Sequence, residues 1–309
     1  LSGGLALGGP SATPGAALTG KSVPIGKLIS HGGDVNHDGI PDLLVSGASS
    51  PLQNGRVFVV LGAKSLTSAD IDSVPGLFVI QSDAANDLLP ESLDYVGNVD
   101  NADGDEIAMT NHSSVLMVRG TTRGGMYPSS TGPLSGSGDT GGGWSYMLQN
   151  QLDTAAVAGA GDVDGDPPHS ADLLICEADT SDKMACRVVL GPPKTLSAGW
   201  NIAGFSEKEP PHLAHGADIN GDGHSDLLFG EASKVYAVLG KRLPLPDVDV
   251  TALGDAGFTL TTEGSERVDS VTTLGDVNGD GALDYAVGVS SASQGAGSVY
   301  VVFGSQSGG

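Results

Sequence analysis

Five times along this chain of 309 residues an acidic loop runs straight into a short apolar strand, at spacings of 64, 64, 56 and 58 residues. The copies read "GDVNHDGIPDLLV" from 33, "GNVDNADGDEIAM" from 97, "GDVDGDPPHSADLLI" from 161, "ADINGDGHSDLLF" from 217 and "GDVNGDGALDYAV" from 275. Numbering each loop from its first acid or amide, position 1 is Asp34, Asn98, Asp162, Asp218 and Asp276. Self-similarity at such a period constrains a fold more than any single motif, because each unit must bury its apolar face against the next.

Each unit carries two further marks. Between 22 and 29 residues after position 1 a β-rich run ends in glycine, at Gly62, Gly120, Gly191, Gly240 and Gly304. About 18 to 20 residues before the next loop an aromatic opens another strand, at Phe78, Trp144, Trp200 and Phe258. Four short strands per unit, bounded by Gly, Asn, Asp and Ser, with no 3.6-residue periodicity, predict an all-β chain. A repeated four-stranded antiparallel unit is a β-propeller blade. Residues 1–309 therefore read as one domain of five blades, with repeats near 16–76, 77–142, 143–198, 199–256 and 257–309. The last unit lacks a fourth strand, and "GAALTGKS" near the N-terminus is expected to supply it, closing the ring and removing an open edge.

The loop "DVNGDGALD" followed by "YAVGVSSASQGAGSVYVVFG" resembles the FG-GAP repeat of the integrin α-subunit propeller and of bacterial secreted FG-GAP proteins. The joint "VVLGAKSLTSADIDSVPGLFVIQSD" is similar to those of the bacterial members. Integrin propellers have seven blades, so the resemblance keeps seven as the alternative to five.

Calcium takes six to eight hard oxygen ligands, and a loop with carboxylate or amide oxygens at positions 1, 3 and 5 plus a carbonyl at 7 can wrap one ion. An EF-hand would add a glutamate at position 12, but Val45, Phe229 and Val287 stand there, so that reading fails. Position 9 is aspartate instead, which matches the calcium loop of the FG-GAP family. One site is then Asp34, Asn36, Asp38, the Ile40 carbonyl and Asp42. A second is Asp218, Asn220, Asp222, the His224 carbonyl and Asp226, and a third is Asp276, Asn278, Asp280, the Ala282 carbonyl and Asp284. The third unit offers a fourth site from Asp162, Asp164, Asp166 and Asp172, with two extra residues before Asp172 and no glycine after position 5. In the second unit Asn98, Asp100, Asp103 and Asp105 do not fall on positions 1, 3, 5 and 9, so a fifth site is the weakest case. Such calcium is expected to be structural.

Acidic residues outnumber basic ones 37 to 14, a formal charge of -23, and no Lys/Arg cluster offers a phosphate backbone a docking place, which argues against nucleic acid. No stretch of about 18 apolar residues exists, so no membrane span is expected. Cys176 and Cys186 flank the turn of an apparent hairpin, which leaves a disulfide and two small buried hydrophobes as readings. No nucleophile elbow and no convergent ionisable set outside the repeats is visible, so a non-enzyme is expected. The expected function is a calcium-stabilised extracellular or cell-surface module that binds a protein or glycan, in adhesion for example, on one propeller face. One alternative is a lectin with Trp144 and Trp200 as stacking platforms, although their shared position with Phe78 and Phe258 favours packing between blades. Another is the propeller part of a secreted hydrolase or polysaccharide lyase.

Overall fold

The structure is a computed structural model that describes all residues except 1–16, 22–23, 32, 48–55, 64–67, 75–76, 82–89, 102–103, 112–113, 121–142, 148–154, 168–169, 179–182, 192–198, 243–245, 292–294 and 307–309. After a short β1 (Leu18–Thr19), blade 1 contains β2 (Ile25–His31), β3 (Leu43–Gly47), β4 (Arg56–Val60) and β6 (Phe78–Gln81), with β5 (Ala69–Asp70) in the joint before β6. Blade 2 is β7 (Leu93–Gly97), β8 (Glu106–Asn111), β9 (Ser114–Val118) and β10 (Gly143–Met147). Blade 3 is β11 (Ala155–Gly161), β12 (Asp172–Ala178), β13 (Met184–Val189) and β14 (Gly199–Ala203). Blade 4 is β15 (His212–Leu213), β16 (Leu227–Glu231), β17 (Lys234–Val238) and β19 (Gly257–Thr261), with β18 (Val248–Asp249) in its joint. Blade 5 holds β20 (Ser270–Gly275), β21 (Asp284–Val289) and β22 (Ser298–Val302). These five antiparallel sheets are arranged as a five-bladed propeller.

The apolar runs follow from this arrangement. The middle strands of a blade touch a neighbouring blade on both faces, so they carry continuous apolar residues where a half-exposed strand would alternate. Thus β4, "RVFVV", is buried from Val57 to Val60, and β16 along its whole length. The clusters that result are shared between neighbours. Val57 and Val59 pack with Ile107 and Met109, Val115 with Leu173, Trp200 with Phe229, and Ala237 with Tyr285.

The aromatic-opened strands close the sheet before them: β6 pairs with β4, β10 with β9, β14 with β13 and β19 with β17. Blades 1 to 4 thus each take in the strand that opens the following repeat, and blade 5 begins after it. The closure expected of the N-terminal strand is met on one side only. Leu18 and Thr19 pair in parallel with Ala69 and Asp70 of blade 1, while among the described residues the fifth sheet has three strands and β22 pairs with β21 alone. Cys176 and Cys186 stand directly opposed on β12 and β13 and form a disulfide, their Cα atoms 4.0 Å apart.

Neighbouring blades are also joined by main chain. The carbonyl at loop position 1 accepts an N–H from the residue that precedes the position-9 acid of the next blade. Asp105 donates to Asp34, Ala171 to Asn98, Ser225 to Asp162 and Leu283 to Asp218, at 2.8 to 3.1 Å. Position 2 sits beneath the next blade, so Val35, Val99, Val163 and Ile219 are buried.

Candidate metal centres

The acidic loops are held in shape by their own carboxylates. In the fourth loop Asp218 accepts N–H bonds from Gly221, Asp222 and Gly223 at 2.7, 3.1 and 2.9 Å, and the Asn220 Nδ2 donates to Asp222 at 3.0 Å. The fifth loop repeats the pattern, with Asp276 accepting from Gly279, Asp280 and Gly281 and the Asn278 Nδ2 donating to Asp280. In the first loop Asp34 accepts from Asp38 and Gly39, and Asn36 donates to Asp38. Gly39, Gly223 and Gly281, at position 6, have φ of 82°, 89° and 91°, the left-handed turn their sequence position predicts. The N–H groups of Gly281, Gly279 and Asp280 favour the ionised Asp276 and hold its pKa below the ordinary value. At positions 7, the Ile40, His224 and Ala282 N–H groups donate to the position-5 carboxylates Asp38, Asp222 and Asp280. In all three loops the side chains at positions 1, 3 and 5 are thus tied together by shared hydrogen bonds, an oxygen-rich set whose hardness would suit calcium.

The third loop, the irregular one, gathers its acids most tightly. Carboxylate oxygens of Asp162, Asp164 and Asp172 lie within 4.8 Å of one another, the one such group among the described residues. Asp166 stands outside that group; its N–H donates to Asp164 at 3.1 Å. Asp164 and Asp172 are buried. Burial, reinforced by neighbouring acids, raises the pKa of Asp164 and pushes Asp172 up to about 8. Three carboxylates taken from water without a counter-charge resist ionisation, and a divalent cation would relieve that strain.

Position 9 has a second role that the sequence did not reveal. Both oxygens of each acid hold main-chain N–H groups: position 2 of its own loop, and the glycine that ends the third strand. Asp42 accepts from Val35 and Gly62 at 2.9 and 2.7 Å, Asp172 from Val163 and Gly191 at 2.9 Å each. Asp226 accepts from Ile219 and Gly240 at 2.9 and 2.8 Å, and Asp284 from Val277 and Gly304 at 2.8 Å each. The glycines are sterically required. A Cβ at Gly240 would stand 2.3 Å from the Ser225 carbonyl oxygen and 2.8 Å from that of Val163 in blade 3. Loop, acid and glycine recur together because they form one clasp.

In blade 2 the clasp is made by Glu106, fully buried, whose Oε2 accepts the Val99 N–H at 2.7 Å. It falls on position 9 counted from Asn98, a spacing visible in the sequence but hidden by the irregular acids before it. Arg119 donates to Asp100 at position 3, a cation where the other blades have Leu61, Leu190, Leu239 and Phe303. Burial pushes the Glu106 carboxyl from an ordinary 4.5 to about 7, with Asp100 adding to the rise. A raised carboxyl pKa means that the folded chain binds the proton more tightly than the unfolded one, so its contribution is present in acid and fades as pH rises from about 4.5 to 7. In metal-free protein this group is expected to remove about 3 kcal/mol of stability across that window. Urea melts of Glu106→Gln should lack this part of the slope; an unchanged slope would show that Glu106 is ionised throughout.

At the channel end away from the loops, a cavity of about 680 Å³ is lined by Ile29, Asp94, His212, His215 and Thr272 among others. His215 stacks on Tyr95 with ring centroids 5.3 Å apart and meets the edge of His31 at 5.4 Å. A Cβ at Gly159 would fall 2.3 Å from His215, so that glycine makes room for the stack. Trp200 is buried, with its Nε1 donating to the Pro246 carbonyl, and is no stacking platform. The Trp144 side chain lies outside the described residues.

No family model matches the chain. Phosphatidylinositol-glycan-specific phospholipase D from Mus musculus is 38% identical over 106 residues, which is 30% of this chain and 12% of the relative. The Homo sapiens protein of the same name is 37% identical over 108 residues, 30% of this chain and 13% of that one. The aligned part thus spans about an eighth of these curated relatives. Among solved structures, a chain of ctPRC2 in complex with H3K27me3 and H3K27M superposes with a TM-score of 0.50 at 11% identity, covering 86% of this chain and 46% of that one. That likeness is one of fold alone.

Proposed function

We propose that the chain is a calcium-stabilised propeller of the FG-GAP kind, whose ions brace the loops of one face so that this face can bind an extracellular protein or glycan. The observation that carries the reading is the buried group of Asp162, Asp164 and Asp172, whose carboxylate oxygens lie within 4.8 Å of one another, supported by the hydrogen-bonded acids and amides at positions 1, 3 and 5 of the first, fourth and fifth loops. The Cys176–Cys186 disulfide supports an oxidising, extracellular setting. Similarity to proteins named for specificity toward phosphatidylinositol-glycan favours a glycan among the partner classes, while their enzymatic activity is not carried over from so short a match. The lectin reading keeps the loop face and the channel cavity as sugar sites; Trp200 is withdrawn from it. Adhesion remains the broader form of the same proposal.

Calorimetric titration of chelated, dialysed protein with calcium is expected to give four sites, in blades 1, 3, 4 and 5, with blade 2 relying on Arg119. Asp164→Ala should remove one site and leave three. Titration without heat or without saturable binding defeats the calcium reading. A glycan array run with and without calcium then tests the partner class.

A further inference from the structure

Three aromatic rings meet beneath the cavity at the far end of the channel. His31, Tyr95 and His215 stand at the same place in blades 1, 2 and 4, three residues before loop position 1, where blade 3 has Gly159 and blade 5 has Thr273. The centroid of His31 lies 6.1 Å from Tyr95 and 5.4 Å from His215, and those two are 5.3 Å apart. Blade 4 neighbours neither blade 1 nor blade 2, so these rings can touch only across the channel axis. His31 and His215 both line the cavity, which among the described residues is therefore a blind pocket with an aromatic floor. Two glycines make room for that floor: a Cβ at Gly33 would fall 1.7 Å from the Tyr95 ring, and one at Gly159 would fall 2.3 Å from His215.

The polar groups of the pocket are fixed before a ligand arrives. Asp94 is held from three blades. Ser30 Oγ of blade 1 donates to its Oδ1, the Gly159 N–H of blade 3 donates to its Oδ2 at 2.9 Å, and His215 Nδ1 of blade 4 lies 3.4 Å from Oδ2. An ionised carboxylate only accepts, so Nδ1 carries the hydrogen and Nε2 is left as an acceptor on a ring that lines the pocket. Pro210 and Pro211 stiffen the wall beside it. The volume of about 680 Å³ falls within the roughly 300 to 1,000 Å³ of small-molecule sites.

The charges narrow the ligand class. Glu91, Asp94 and Glu209 against Lys27 oppose an anion. A cation gains little, because both Asp94 oxygens are engaged and the other two acids are exposed to water. A neutral polyhydroxyl ligand suits what remains, since imidazole nitrogens accept its O–H donors and flat rings take the apolar face of a pyranose. We infer that the pocket holds the terminal residue of a neutral glycan, with one hydroxyl donating to His215 Nε2 and Asp94 positioning that ring. This builds on the glycan reading of the proposed function and moves the sugar to the face opposite the calcium loops.

The test is an NMR and calorimetric titration of the calcium-loaded full chain with the methyl glycosides of glucose, galactose, mannose and N-acetylglucosamine. At least one is expected to bind saturably with a Kd of roughly 1 mM. His215→Ala should weaken that binding about tenfold, the loss of one buried hydrogen bond. Thr272→Trp, which fills the mouth from an exposed position on β20, should abolish it. Both variants should keep the calcium stoichiometry and Tm of the parent, so a lost sugar site is told apart from a lost fold. No saturable binding by any of the four glycosides overturns the inference, and calcium binding that persists then leaves the calcium reading standing. Binding untouched by both substitutions also overturns it and returns the sugar to the loop face. Tighter binding of methyl glucuronide, or of a lysine amide, than of every neutral glycoside refutes the ligand class.

Discussion

Asp226→Ala is expected to destabilise the calcium-loaded protein by about 3 to 5 kcal/mol. The carboxylate is buried and holds two main-chain N–H groups, those of Ile219 and Gly240. Alanine leaves both without an acceptor, in a space that water does not reach, and each orphaned donor costs roughly 1 to 3 kcal/mol. The damage should not stay local. Ile219 is the residue on which blade 5 rests, through the Ser305 N–H to its carbonyl, so loosening this clasp should raise exchange in β21 and β22 before it does so in blade 2. Asp226→Asn, which keeps one acceptor, should cost about half as much. Gly240→Ala attacks the same clasp from the other side, since its Cβ would enter the Ser225 and Val163 carbonyls. Urea unfolding measures all three, and a loss below about 0.5 kcal/mol for Asp226→Ala would mean that the N–H groups find other partners.

Removing calcium is expected to have the larger total effect. A ligand at 100 times its dissociation constant stabilises the folded state by about 2.7 kcal/mol per site, so four sites amount to about 10 kcal/mol. For a chain of this size that corresponds to a fall in Tm of roughly 15 °C. The deficit should also depend on pH. Asp172 and Asp226 have pKa values of about 8 and about 7 in the folded chain, raised chiefly by burial. Without the ion they favour the protonated form, so the chelated protein loses stability as pH rises from about 4 toward 8. The ion competes with those protons, and the loaded protein should show a flatter profile. Differential scanning calorimetry at pH 5 and pH 8, with and without chelator, reads both effects; equal Tm values in the two states at pH 8 would falsify a structural role for calcium.

The blade count and the strands of each unit were legible because they rest on periodicity, with Gly62 to Gly304 marking one strand in every unit and Phe78 to Phe258 another in four, whereas the hairpin at Cys176 and Cys186 left the disulfide as one of two readings. The role of position 9 was not. An aspartate that ligates an ion and one that accepts two main-chain N–H bonds have the same spacing, and only the fold brings Gly62 within 2.7 Å of Asp42. Glu106 was missed because the loop before it is irregular, although a longer acid reaches the Val99 N–H equally well. The insertion before Asp172 read as damage, yet it is in this loop that three carboxylates come together. The partner of the N-terminal strand was half legible: its place before the first loop predicts a fourth strand for the last unit, but the joint strand β5 that it meets in parallel has only two residues and no periodicity to find.

The glycines that end the third strands have a consequence for how such a chain can diverge. A Cβ at Gly120, Gly191, Gly240 or Gly304 would stand 2.7 to 2.8 Å from a carbonyl oxygen of the preceding blade, so the angle from one blade to the next is set where main chain meets main chain. Side chains elsewhere on the loop face take no part in that contact. The curvature of the ring is thereby uncoupled from the chemistry of its surface, and loop residues can drift toward new partners while the geometry that presents them stays the same.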